Sequence, residues 1–303
     1  MKRTHSCEPT MTDEDVVWFC RNGYWILEGV VPDDINQRSM DYLSSHAGHQ
    51  SEPTEILEED WFMDHVILNP KAAGAVRSLL GNNFTVPVLM SNHRGMRPAP
   101  PQDWHRDGGS RYGPEVNYLQ VFYYPQDVTP EMGPTEVLPG SHFLYQREKH
   151  MAHYGSIKGG VLTAAPAGSI FLTSYNIWHR RSPRTAPENA GIRNLLKYNY
   201  FRTTDPARDW IESPDFDVEF ADFVVDGPRF SELMRDCVDS AEMYYWLCGK
   251  FDEFRYLGGQ AWPGDIPENK ATPEAIARTR YRDRYGVPGD LTDRRARRPA
   301  RIW

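Results

Sequence analysis

Tyr118-Leu119-Gln120-Val121-Phe122-Tyr123-Tyr124 is a short apolar run closed by Pro125, and it belongs to a series. Phe84 to Met90, Thr135 to Leu138, Gly160 to Thr163, Ser169 to Thr173 and Asn194 to Phe201 are of the same kind, with Gly, Pro and Asn between them. Runs of this length, bounded by turn residues, read as strands. Many short strands in succession point to a sandwich or barrel rather than to alternating strand–helix units.

Outward from this region the pattern changes. Thr12 is a suitable N-cap for a helix whose first turn carries Asp13, Glu14 and Asp15, with Gly23 as its stop. Tyr24 to Val31 is a further expected strand, and a second helix is expected from Pro32 to about Ser45. Residues 46–60 are polar, contain Pro53 and read as loop. Towards the C-terminus, Phe230, Leu233, Met234, Cys237, Val238, Ala241, Tyr244, Tyr245 and Cys248 recur at the spacing of one helix face. Thr272-Pro273 opens another expected helix and Gly286 closes it. The end of the chain carries Arg294, Arg295, Arg297, Arg298 and Arg301, either a solvated end or an anion-binding tail. No internal repeat is visible.

Composition narrows the class. The 303 residues are 40% hydrophobic and 13% aromatic, enough for a core, so a wholly disordered chain is excluded. No apolar run approaches a membrane span, and no apolar segment of a secretory leader follows Lys2 and Arg3. The net charge of -8 disfavours nucleic acid as a partner. Cys7, Cys20, Cys237 and Cys248 are far apart and read as reduced thiols, which suits a cytoplasmic location.

His105-Arg106-Asp107 follows the Pro-rich stretch Arg97 to Gln102. On an extended segment His105 and Asp107 project to the same side, offering a nitrogen and an oxygen to one metal ion. Alone, H-x-D also fits a surface turn. His179, beyond several expected strands, and Arg193, at the head of the run from Asn194, strengthen the metal reading. Two histidines and a carboxylate on one face of a metal leave positions open, which suits non-haem Fe(II) with a bidentate 2-oxo acid and O2. A guanidinium is the natural clamp for the distal carboxylate of such an acid. Arg193 by itself fits a structural salt bridge as well.

These strings resemble the phytanoyl-CoA dioxygenase family of Fe(II)/2-oxoglutarate oxygenases. The resemblance rests on Trp104-His105-Arg106-Asp107, on Gly133-Pro134-Thr135-Glu136-Val137-Leu138-Pro139-Gly140-Ser141-His142, and on Gly168-Ser169-Ile170-Phe171 through His179 to Arg193. It covers roughly residues 12–202. It implies a mainly β fold with flanking helices, a double-stranded β-helix or cupin-like jelly roll, in one domain over 1–303. The barrel core would be about 84–202, with a helical part at 12–80 and an extension at 205–303.

By the same resemblance His105, Asp107 and His179 are the metal ligands, and Arg193 binds 2-oxoglutarate. Gln102 and Thr135 stand where relatives touch the cosubstrate, although a loop Gln and a turn Thr are also ordinary there. One departure is Arg181, where some relatives carry a small hydroxyl residue; Ser182 follows it. His142 reads as a turn-stabilising residue, and His93, His150 and His153 as loop histidines. Trp178 and Tyr175 either wall the site or pack in the core.

The function expected is oxidation of an unactivated C–H bond of a small molecule by Fe(II), 2-oxoglutarate and O2, with release of succinate and CO2. Hydroxylation, desaturation and cyclisation are not distinguished. The rivals are a metal-binding jelly-roll sensor and a Zn-dependent isomerase or hydrolase. Tyr118, Phe122, Tyr124, Trp178 and Tyr198 suit an apolar, ring-bearing substrate of specialised metabolism, and equally a β core. No nucleic-acid or membrane partner is expected, and the sequence leaves the oligomeric state open, a homodimer included.

Overall fold

Helix starts and stops are written into the N-terminal segment. A computed structural model describes residues 3–45, 51–107, 114–143, 150–151, 154–216 and 231–251, without the side chains of 231–238. After a short β1 (Thr4–His5) comes α1 (Asp13–Asn22). Thr12 and Asp15 form a reciprocal cap: Asp15 N–H donates to Thr12 Oγ1 at 3.3 Å, and Thr12 N–H donates to Asp15 Oδ2 at 3.0 Å. Gly23 ends the helix at φ 79, and a Cβ there would collide with the buried ring of His142, so both conformation and space require glycine. Then follow β2 (Tyr24–Leu27), α2 (Asp33–Ser45), α3 (Asp60–Phe62) and α4 (Pro70–Leu80), the last capped by the Asn69 side chain with proline in its first turn.

The remaining strands are β3 (Phe84–Thr85), β4 (Ser91–Asn92), β5 (Trp104–His105), β6 (Tyr118–Tyr124), β7 (Thr135–Val137), β8 (His150–Met151), β9 (Val161–Leu162), β10 (Ser169–Ser174), β11 (His179–Arg181) and β12 (Leu196–Phe201). They form two antiparallel sheets. The larger runs β1-β3-β12-β6-β10-β2, with β4 also on β12; the smaller runs β8-β5-β11-β7-β9. The sheets face each other in the expected jelly-roll manner, joined by side-chain hydrogen bonds such as Tyr124 to Thr163.

The strand period of two divides the larger sheet into two faces. Leu119, Val121 and Tyr123 of β6, Ile170 and Leu172 of β10, and Leu196, Tyr198 and Tyr200 of β12 pack with Phe62, Val66 and Leu79 of the helical layer. Gln120, Phe122 and Tyr124, Phe171 and Thr173, and Lys197 and Asn199 take the opposite face, towards the smaller sheet. Tyr198 therefore belongs to the helix-side core.

Three expected elements change. The run from Phe84 is a strand only over Phe84–Thr85, which pairs with Thr4–His5 and, through Thr85, with Phe201, because Pro87 has no N–H to continue a ladder. The strand from Tyr24 stops at Leu27, where Gly29 turns at positive φ. The expected loop 46–60 contains a 3-10 turn, Thr54–Glu58, which buries Ile56 and Leu57; residues 46–50 lie outside the description.

At the other end α5 (Ser231–Leu247) packs on α1 and buries Met243, Tyr244, Trp246 and Leu247. Cys7, Cys20 and Cys248 are free thiols. No helix among the described residues is long and apolar enough to cross a membrane. The expected helix after Thr272 and the arginine-rich end lie outside the described residues.

Candidate metal centre

The site is built on the smaller sheet by alternation. Along β5 and the residues after it, Trp104 and Arg106 turn to the outer face while His105 and Asp107 turn inward. Along β11, Trp178 and Arg180 turn outward and His179 inward. The outer layer is tightly engaged: Trp104 and Trp178 are fully buried, Arg106 lies 4.7 Å over the Trp178 ring, and Arg180 lies 4.7 Å over Trp104. Arg180 also donates to Glu136 on β7 at 2.7 Å. Trp178 is thus a packing residue behind the site, which fixes the pitch of the strand that carries His179.

His105 and His179 are direct cross-strand partners, with ring centroids 4.5 Å apart. Asp107 lies beneath them, 3.9 Å from His105 Nε2 and 3.7 Å from His179 Nε2. One ligand atom from each of the three residues lies within 4.8 Å of the others. Each imidazole is also oriented from behind. His105 Nδ1 is 2.8 Å from the Asp103 carbonyl, and His179 Nδ1 is 3.1 Å from that of Ile177. A carbonyl only accepts, so both Nδ1 atoms carry hydrogen and both Nε2 lone pairs are left for a metal.

The electrostatics suit a cation. Burial would raise the pKa of Asp107, but His179, Lys197 and the hydrogen bond from Gln120 hold it well below the usual carboxylate range. Burial also holds the pKa of His179 down, to about 4, against the opposing pull of Asp107. Asp107 is therefore held as an anion and His179 as a neutral imidazole, the protonation a divalent metal needs of them.

Arg193 is almost wholly buried. Its guanidinium donates to the carbonyls of Gly133 and His93, and its Nε has no partner. No acidic side chain among the described residues forms an ion pair with it, so the structural salt bridge considered from sequence is absent there. Burial lowers the Arg193 pKa from the ordinary value, and Tyr124 nearby opposes that shift. Gly133 turns at φ 72 beneath Arg184, and an added Cβ would lie 3.0 Å from the Ser182 carbonyl. The glycine of the Gly-Pro-Thr string is what lets that turn approach closely.

The other expected residues fall at different distances from this centre. Thr135 is buried on β7, its N–H reaching the Tyr124 hydroxyl at 3.4 Å. Gln102 is exposed, and its side-chain oxygen accepts from Arg181 N–H at 3.1 Å. Ser182 donates to the Pro134 carbonyl at 2.8 Å, while Arg181 reaches outward to Pro100. His142 is buried, with Nε2 2.9 Å from the Cys20 carbonyl, the stabilising role expected of it. His93 is exposed at the rim, His150 stacks 5.8 Å from His105, and His153 lies outside the described residues.

Two residues that sequence reading missed touch Asp107 directly. Lys197 Nζ donates to its Oδ2 at 2.9 Å, and Gln120 Nε2 donates to the same oxygen. Their signal was present in the alternation of β6 and β12, but a lone polar residue in an apolar strand does not say which sheet it will face.

A family model described as phytanoyl-CoA dioxygenase matches residues 19–187, more than half of the chain. No curated protein matches it by sequence. Among solved structures, HygX from Streptomyces hygroscopicus with iron bound is 15% identical, covers 68% of this chain and 94% of its own, and superposes with a TM-score of 0.52. ThoJ, a non-heme monooxygenase in apo form, is 14% identical over 78% of this chain and 98% of its own, at 0.51. The epimerase SnoN in complex with Fe3+, alpha ketoglutarate and nogalamycin RO is 16% identical over 62% and 82%, at 0.50. At these identities the likeness is one of fold.

Proposed function

The chain belongs to the phytanoyl-CoA dioxygenase family, and on that premise we propose that it oxidises a C–H bond of a small specialised metabolite with Fe(II), 2-oxoglutarate and O2. The observation that carries this reading is the pairing of an open-sided His105, Asp107 and His179 set with the buried Arg193, which lacks an acidic partner. A sensor using the metal structurally has no need of that guanidinium.

Fe(II), bound by the two Nε2 atoms and one Asp107 oxygen, would supply the redox chemistry: O2 is reduced as 2-oxoglutarate loses CO2 to become succinate, and one oxygen atom enters the substrate C–H bond in hydroxylation. The protein's own residues do the rest. Lys197 and Gln120 hold the second Asp107 oxygen, fixing the rotation of that carboxylate. Asp103 and Ile177 carbonyls fix the imidazoles. Arg193 pairs with the distal carboxylate of 2-oxoglutarate, with Thr135 and the exposed Gln102 as further contacts of the cosubstrate and Tyr124 beside the guanidinium. Phe122 and Phe171, stacked at 4.5 Å, form a dry wall beside His179.

The test is CO2 release from labelled 2-oxoglutarate. It should require both Fe(II) and O2 and vanish in His179→Ala. Equal release with Zn(II), or none under any condition, rejects the oxygenase reading.

A further inference from the structure

Three successive cross-strand pairs on the site-facing side of the larger sheet lead from the surface to Asp107: Tyr118 with Phe201, Gln120 with Asn199, and Phe122 with Lys197. The middle pair is unusual. Gln120 is almost wholly buried, and its Oε1 has no hydrogen-bond partner; neither has the buried Oδ1 of Asn199 opposite it. The orientation of Gln120 is fixed, because a carboxylate only accepts: its amide nitrogen must face Asp107, so its oxygen must face away. Buried acceptors are rarely left without a donor. Two side by side, one carboxamide from the metal ligands, mark a place beside the site that lacks two donors.

We propose that this row is the substrate subsite, and that the substrate is a neutral, hydroxyl-bearing saturated ring, of sugar or cyclitol type. This deepens the oxygenase reading and rests on it. Hydroxyl groups are donors that Gln120 Oε1 and Asn199 Oδ1 can accept. A cationic amine is disfavoured by the Lys197 ammonium next in the row, and a carboxylate by the two carbonyl oxygens. The outer pair supplies the apolar half of the recognition. Tyr118 and Phe201 stack with centroids 5.6 Å apart, Tyr175 lies 4.4 Å from Tyr118, and Phe201 is 44% exposed. Aromatic surface beside planar acceptors suits a ring with C–H bonds on its face and hydroxyls on its edge. The apolar ring expected from the count of aromatics is not what this face offers, since Tyr198 and Trp178 lie in packed layers elsewhere.

The test uses the full chain without metal, so that binding is read apart from turnover. Saturation-transfer NMR would compare myo-inositol and methyl glucopyranoside with cyclohexanol, which keeps the ring and one hydroxyl. Both polyols should bind more tightly than cyclohexanol. Asn199→Leu should weaken them about tenfold, the worth of one buried hydrogen bond. Phe201→Ala, at an exposed position that folding tolerates, should weaken them as well. Cyclohexanol binding as tightly as the polyols, polyol binding unchanged in both variants, or no polyol binding at millimolar concentration would each overturn the subsite. CO2 release from 2-oxoglutarate is followed in parallel with wild-type protein. If it is absent while polyol binding tracks Asn199, the oxygenase reading fails and the row is a polyol-binding site without that chemistry. If it is present while polyol binding fails, the subsite alone is wrong.

Discussion

His105 and His179 each point one lone pair at the space above Asp107, so removing either takes away one of three protein ligands. His179→Ala should lose stoichiometric Fe(II), read by metal analysis after gel filtration, while the melting temperature changes little. Retention of full iron would remove His179 from the ligand set. Arg193→Lys is the sharper variant. Lysine keeps the charge but not the two-pronged geometry, and it also abandons the carbonyls of Gly133 and His93. The expected stability loss is about 1–2 kcal/mol. The expected rise in KM for 2-oxoglutarate is about tenfold or more. Measuring both separates the roles: a stability loss with an unchanged KM would make Arg193 a carbonyl cap and nothing else.

Between elements, Asp13 joins α1 to the C-terminal segment. Asp13 has no solvent exposure, yet its carboxylate accepts from Arg208, Trp210 Nε1 at 2.7 Å, Ser213 N–H at 2.7 Å and Tyr244 of α5 at 2.8 Å. Burial alone would raise its pKa, but these donors bring it below its ordinary value. Asp13→Ala leaves four donors facing an apolar gap, and should cost about 3 kcal/mol in urea unfolding. Thr12→Ala, which removes only the reciprocal cap, should cost about 1 kcal/mol. Equal costs would mean that Asp13 serves α1 alone and does not join the two segments.

Across the molecule, pH acts through a histidine that the site does not use. His142 lies buried against Gly23, and burial lowers its pKa from 6.5 to about 4. The unfolded chain therefore takes up a proton between those values that the folded chain refuses. Stability is full above about pH 6.5 and falls as pH drops towards 4, by up to roughly 1.4 kcal/mol per pH unit for this one group. His142→Gln should flatten that part of the profile, at the expense of lower stability near neutrality. Urea midpoints at about pH 7.5 and about pH 5 give the comparison, and an unchanged difference between them would place the acid sensitivity elsewhere.

Local chemistry was legible in the sequence wherever neighbouring residues decide structure. The Thr12 and Asp15 cap, the Gly23 stop, the full extent of β6 and the inward pairing of His105 with Asp107 all depend on spacing within a few residues. Pro87 and Gly29 shortened two expected strands by equally local rules, legible but outweighed by the apolar runs around them. What the sequence could not settle was which face each strand residue would take once two sheets closed on one another. Lys197 and Tyr198 are adjacent in β12, yet one touches Asp107 and the other lies in the helix-side core. Gln120 acquires its meaning only because Asp107, on the other sheet, holds its nitrogen. A strand's period of two fixes which residues share a side, but only packing against the rest of the chain decides which side holds the site.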